Sequence, residues 1–250
     1  MPGSPAEDGA GAARRAEISA GLRAVRQRIA AACAEAGRSP AEITLIAVTK
    51  TRPASDVLLL GELGLTDVGE NRDQEACAKA AACAAAGLKP TWHFIGQLQV
   101  NKAASVVSYA DVVHSVDRLR LANALGRHAR AAGRTITCLV QVSLDDPDGA
   151  DGPDHGRGGV APGQVLDLAT AIAGQQGLEL GGVMAVAPLA QPAAAFAQLA
   201  EVSRELRSRY RNASVISAGM SGDLEEAIMS GATHVRIGTA LLGGRPAFVR

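Results

Sequence analysis

Eight short apolar runs, alternating with segments long enough to be crossover helices, predict an α/β fold: a single (β/α)8 or TIM barrel. Two further observations support closure of the sheet. The chain has 250 residues, a usual length for one such barrel and enough to bury a large core. Polar and glycine residues also gather where the runs end: Lys50 after the first, Glu70 and Asn71 after the second, Gly96 and Gln97 after the third, and Ser115 after the fourth. Ser143 follows the fifth, Ser217 to Ser221 the seventh and Arg236 to Thr239 the eighth. In a parallel barrel these ends share one rim, the face whose loops carry function. An open doubly wound sheet is the competing arrangement, because periodicity alone does not establish closure.

Residues 1 to 13 are rich in Gly, Ala and Pro without apolar periodicity and are expected to be a disordered tail, leaving 14 to 250 as the barrel. Ile18, Leu22, Val25 and Ile29 then recur at spacings of three and four, which marks an extra amphipathic helix from Arg14 to Ala36, stopped by Gly37. The strands follow as ITLIAVT at 43 to 49, TDVG at 66 to 69, TWHFIG at 91 to 96 and DVVHSV at 111 to 116. TITCLVQVS at 135 to 143, LELGGVMAV at 178 to 186, SVIS at 214 to 217 and THVRIG at 233 to 238 complete the set. Such nearly continuous apolar runs suit parallel strands covered on both faces, with 117 to 132 and 192 to 211 among the crossover helices.

Composition narrows the function. Lysine plus arginine equals aspartate plus glutamate at 25 each, so no broad positive field exists to attract nucleic acid or an anionic membrane. Aromatic residues make up 2%, too few for the stacking platforms of a single-strand binder. Cys33, Cys77, Cys83 and Cys138 lack CxxC spacing and read as small apolar residues in a reducing compartment. No stretch has the apolar core of a signal peptide or the roughly 20 residues of a membrane span, and a cytoplasmic protein is expected. No interface stripe is evident, so a monomer is expected. The stretch from Asp145 to Gly159 holds five aspartates, but its fifth and twelfth positions counted from Asp146 are Ala150 and Arg157, which breaks the calcium-loop pattern. It is expected to be a mobile rim element without metal.

Lysine is scarce, with only Lys50, Lys79, Lys89 and Lys102, and Lys50 alone directly ends an apolar strand. A lysine directed into a barrel mouth loses hydration, and its free amine becomes available to a carbonyl. The alternative is a solvated or ion-paired lysine. The eighth strand leads into Gly238 and Thr239, where free backbone N-H groups could surround a phosphate, and SAGMSGDLEEA places Ser217, Gly219 and Ser221 just before a helix. Either turn alone is ordinary helix capping. Both turns beside a first-strand lysine point to a phosphorylated carbonyl ligand.

These segments together resemble a known family, the pyridoxal phosphate homeostasis proteins, related to the barrel domain of alanine racemase. The resemblance runs from about Ile43 to Arg245 through AVTKTRP, GENRDQE, WHFIGQLQVNK, HSVDR, GVMAVAP, GMSGDLEEAI and VRIGTALLG. It implies pyridoxal 5'-phosphate (PLP) held as a Schiff base on Lys50, with Ser221, Gly238 and Thr239 on the phosphate and Arg236 near the pyridine nitrogen. Asn71, His93, Ser217 and Met220 would line the pocket, although His93 reads equally as a core histidine and Met220 as filling. The chain departs from the family after GEN, where RDQE replaces a common aromatic, and in the longer acidic loop after strand 5.

The resemblance implies a PLP carrier in cofactor homeostasis that could serve apo PLP-dependent enzymes. A PLP enzyme, such as an amino-acid racemase or decarboxylase using the same lysine, is the alternative. Against it stand the expected lack of a second domain beyond the barrel, the distance of Tyr109 and Tyr210 from the rim, and an arginine that would disfavour protonation of the pyridine nitrogen. A class I aldolase is a third reading that needs only the lysine and the phosphate site.

Overall fold

The computed structural model describes residues 5–144, 158–188 and 191–244. Its eight strands are β1 (Thr44–Val48), β2 (Asp67–Glu70), β3 (Thr91–Phe94), β4 (Val112–Val116), β5 (Ile136–Gln141), β6 (Leu178–Met184), β7 (Val215–Ser217) and β8 (His234–Ile237). They pair in parallel, in chain order, and β8 closes on β1 with Ala47 opposite Ile237. The sheet is therefore a barrel, not an open doubly wound sheet. Each strand falls within a residue or two of its apolar run, because strands buried on both faces leave an uninterrupted hydrophobic signature.

The helices are α1 (Pro5–Glu35), α2 (Ala54–Glu62), α3 (Asp73–Ala85), α4 (Ala103–Tyr109), α5 (Leu119–Ala131), α6 (Val165–Ala173), α7 (Pro192–Arg209), α8 (Leu224–Met229) and α9 (Thr239–Leu242). The first begins earlier than periodicity indicates, so residues 5 to 13, expected as a tail, form its opening turns. Alanine and glutamate there favour a helix without an apolar stripe to reveal it. Further on, Ile18, Leu22, Val25 and Ile29 are buried with Leu224, Ile228, Leu241 and Leu242 on α8 and α9 and with Val235 and Ile237 on β8. Gly21 marks the close approach of α1 to α9: a Cβ there would lie 2.3 Å from the Leu241 carbonyl oxygen, so only glycine admits α9 at this distance.

Alternation along the strands sorts side chains into two layers. Trp92, Phe94, Val113, Val235 and Ile237 join the apolar layers between sheet and helices. Their neighbours His93, His114, Ser217 and Arg236 turn to the barrel interior and are buried there. All four cysteines are free, and Cys77 alone is exposed. No helix is long and apolar enough to cross a membrane among the described residues.

Candidate binding site at the barrel mouth

Lys50 lies on the turn that follows β1, and the two-residue period that places Ile46 and Val48 inward places it on the mouth side. It is exposed and makes no hydrogen bond or ion pair among the described residues. The desolvation expected of a lysine at this end falls instead on Lys79 of α3, which is 5% exposed.

Lys79 occupies the outer side of the same strand ends. Its Nζ donates to Glu70 Oε1 at 2.7 Å, to Glu75 Oε1 at 2.6 Å and to the Thr49 carbonyl oxygen at 2.6 Å. The Thr49 hydroxyl donates to the same Glu70 oxygen at 2.5 Å, and the Thr51 backbone N-H donates to Glu75 at 2.5 Å. Burial pushes the Glu70 carboxyl up against the opposing pull of Lys79 and Thr49. Thr51 adopts φ 63°, a left-handed conformation that a β-branched residue reaches only under strain.

The adjoining side of the mouth, at β7 and β8, is built from backbone. The N-H groups of Ser221, Gly222, Gly238 and Thr239 donate to no protein group among the described residues, while Ala240 N-H reaches the Ser221 hydroxyl at 3.4 Å. Gly238 comes within 3.5 Å of Val48 at its virtual Cβ, which brings this turn next to the end of β1. Two contacts hold the Ser221 turn from below. Asp223 accepts the Met220 N-H at 2.5 Å, and Arg28 of α1 donates to the Ser221 carbonyl at 2.9 Å while its other nitrogens grip Glu225 at 2.7 and 2.8 Å.

Beneath the mouth a single row of hydrogen bonds threads the interior. Arg236 Nη1 donates to the Ser217 carbonyl and hydroxyl oxygens, both at 2.7 Å, and Nη2 to the Ala185 carbonyl at 2.9 Å. The Ser217 hydroxyl lies 2.9 Å from His114 Nδ1, His114 Nε2 lies 2.9 Å from His93 Nδ1, and His93 Nε2 lies 3.1 Å from Asp67. Arginine can only donate and a carboxylate can only accept, so with both imidazoles neutral the row runs in one direction, from Arg236 through Ser217, His114 and His93 to Asp67. Burial, reinforced by neighbouring positive charge, holds the His114 imidazole well below its usual value, in keeping with an accepting Nδ1. Burial likewise lowers His234 to about 4 and Arg236 to about 10, which leaves the guanidinium charged near neutral pH.

The positions singled out in the sequence thus divide. Lys50, Asn71, Met220, Ser221, Gly238 and Thr239 retain some exposure at or near the strand ends. Ser217 and Arg236 lie just inside, and Arg236 keeps its Nε-H and one Nη2-H without a protein acceptor among the described residues. His93 is buried with both ring nitrogens engaged, the core-histidine alternative. Ser115 sits within β4, buried, its hydroxyl without a partner among the described residues. The aspartates and Arg157 of the acidic stretch lie outside the described residues; Gly158, at its end, places a virtual Cβ 2.9 Å from Gln97 Nε2. Among the described residues no cluster of three His, Cys, Asp or Glu could hold a metal ion. Sequence reasoning passed over Lys79, Glu75, His114 and Arg28. The Glu75 to Lys79 spacing of four was the one available signal.

The fold and this rim define a class, the barrels of the alanine racemase type: the model of the family "Alanine racemase, N-terminal domain" matches residues 21–246. The pyridoxal phosphate homeostasis protein of Mycobacterium tuberculosis (strain H37Rv strain) is 42% identical over 247 residues, covering 93% of this chain and 94% of its own. That of Escherichia coli K12 is 37% identical, covering 92% and 97%. Among solved structures, PipY of Synechococcus elongatus PCC7942 with PLP bound is 34% identical with a TM-score of 0.76, covering 90% of this chain and all of its own. Alanine racemase of Clostridium difficile 630, at 14% identity and TM-score 0.70, covers 93% of this chain and 58% of its own and shares the fold alone. The chain belongs to the pyridoxal phosphate homeostasis protein family.

Proposed function

We propose that this protein binds PLP in intracellular cofactor homeostasis, holding the aldehyde as a Schiff base on Lys50 and the phosphate on the turns at 219 to 222 and 238 to 239. The observation that carries the reading is the meeting, on neighbouring strand ends of one barrel mouth, of a lysine amine and a group of backbone N-H donors that have no partner among the described residues. The buried Asn71 Oδ1, without a partner among the described residues, offers a further polar contact at the same rim. The bound group supplies an electrophilic aldehyde. The chain supplies the amine, the phosphate donors, and a charged Arg236 that disfavours a second positive charge on a ring nitrogen beside it.

We favour a carrier over an enzyme. Tyr210 donates to Thr170 at 2.9 Å, and Tyr109 is buried beside Asp73 with its hydroxyl pushed strongly up by burial. Neither tyrosine is available as an acid or base at the mouth. Delivery to apo PLP-dependent enzymes follows as the carrier's use. The test is borohydride reduction followed by peptide mapping: the pyridoxyl group is expected on Lys50 and lost in Lys50→Ala. A label found mainly on Lys79, Lys89 or Lys102 overturns the assignment.

A further inference from the structure

We infer that Lys79 is a positioning residue for Lys50, acting through the two peptide groups on either side of it; the inference rests on the Schiff-base reading above. The Thr49 carbonyl belongs to the peptide bond that enters Lys50, and the Thr51 N-H to the one that leaves it. Lys79 Nζ holds the first directly at 2.6 Å. It holds the second through Glu75, whose Oε1 takes both Nζ at 2.6 Å and the Thr51 N-H at 2.5 Å. Glu70 Oε1 completes the cluster from the end of β2 and ties in the Thr49 hydroxyl.

A buried ammonium with three acceptors has satisfied all of its donors and has none left for a ligand. Lys79 therefore cannot share in ligand binding without breaking this cluster. Its effect is on the backbone: with both flanking peptides fixed, the φ and ψ of Lys50 are set, and its exposed side chain swings from a rigid root. The positive φ at Thr51 is where the cost of that setting shows, since a relaxed threonine would leave the left-handed region and rotate the peptide that follows Lys50. An ordinary structural ion pair would not need to grip two successive peptide groups of one unpartnered lysine.

The test compares two ligands on the purified full chain. PLP reports Schiff-base formation by its visible absorbance, whereas pyridoxine 5'-phosphate has the phosphate and ring but no aldehyde. Lys79→Met, which keeps the aliphatic stem, is expected to weaken PLP binding by about tenfold or more, the effect of losing charge-assisted hydrogen bonds. Pyridoxine 5'-phosphate affinity should stay within about twofold, a change too small to reflect a lost hydrogen bond. Glu75→Ala, at a partly exposed site that threatens folding less, should show the same split, and Glu75→Gln, which retains an acceptor for Thr51, should restore most of it. Equal loss of both ligands in Glu75→Ala, or no change in either, overturns the inference. Failure of the Lys50 reading is separately visible, as an adduct that persists in Lys50→Ala.

Discussion

The two sides of the mouth use opposite physics. The side formed by β1, β2 and α3 sets its lysine with a buried ionic cluster and a strained threonine, whereas the side formed by β7, β8 and α9 offers neutral backbone N-H groups braced from behind by Arg28 and Arg236. If the first side meets an aldehyde, as proposed, one nitrogen must approach along one line, so that side needs directional control of a single residue. A phosphate, the group proposed for the second side, is nearly symmetric in charge and can be shared among several donors, so that side would need number more than aim. On the proposed reading, precision is concentrated on the side that would form the covalent bond.

Breaking the ionic side should cost most. Lys79→Met leaves Glu70 and Glu75 without their cation, and removal of one partner from a buried pair typically destabilises by about 3–5 kcal/mol. Urea unfolding should show an unfolding free energy lower by that amount, and a loss below about 1 kcal/mol would mean that water already screens the cluster.

Acid should act next, on the neutral interior beneath β7 and β8. His234 at about 4 and the lowered His114 resist protonation when folded but accept protons near pH 6.5 when unfolded. Their contribution is complete above about pH 6.5 and is lost as pH falls towards 4. Stability should drop by about 2 kcal/mol for His234 between pH 6.5 and 4.5. His234→Gln should flatten that slope, and an unchanged slope would assign the effect to other groups.

Removing the phosphate probes the cradle alone. Pyridoxal should bind at least about tenfold more weakly than PLP, the loss expected for a few charge-assisted hydrogen bonds. Equal affinities in a titration would remove the turns at 219 to 222 and 238 to 239 from the site. The smallest effect is expected for Arg28→Ala, which frees the Ser221 carbonyl and Glu225 at a half-exposed pair. It should lower stability by about 1 kcal/mol or less and weaken PLP modestly, whereas Arg15→Ala, whose partner Glu62 lies away from the turn, should leave PLP binding unchanged.

The difference between the sides also explains what the sequence disclosed. Strand positions and the Gly/Ser turns were legible because continuous apolar runs and turn residues are local signals. Lys50 was legible as a lone lysine ending a strand. Lys79 was not, because Glu75 and Lys79 one helical turn apart read as a solvated pair, and only the closed barrel brings Glu70 and Thr49 against them. Arg28 was one arginine among many on α1, and its meeting with Ser221 spans 193 residues of sequence. His93 was ambiguous until His114 and Asp67 were seen on either side of it. The early start of α1 was missed because alanine supports a helix without leaving an apolar stripe.

The interior row from Asp67 to Arg236 bears on what this barrel's floor does. A row with an accept-only foot, a donate-only head and neutral imidazoles between them admits one arrangement of its protons, so in that state it has no configurational freedom of its own. Asp67 stands at the amino end of β2, on the face opposite the mouth, and remains partly open to water. The rim's arginine thus takes its datum from the far end of the molecule. In this chain the floor of the barrel is a reference surface for the site above it.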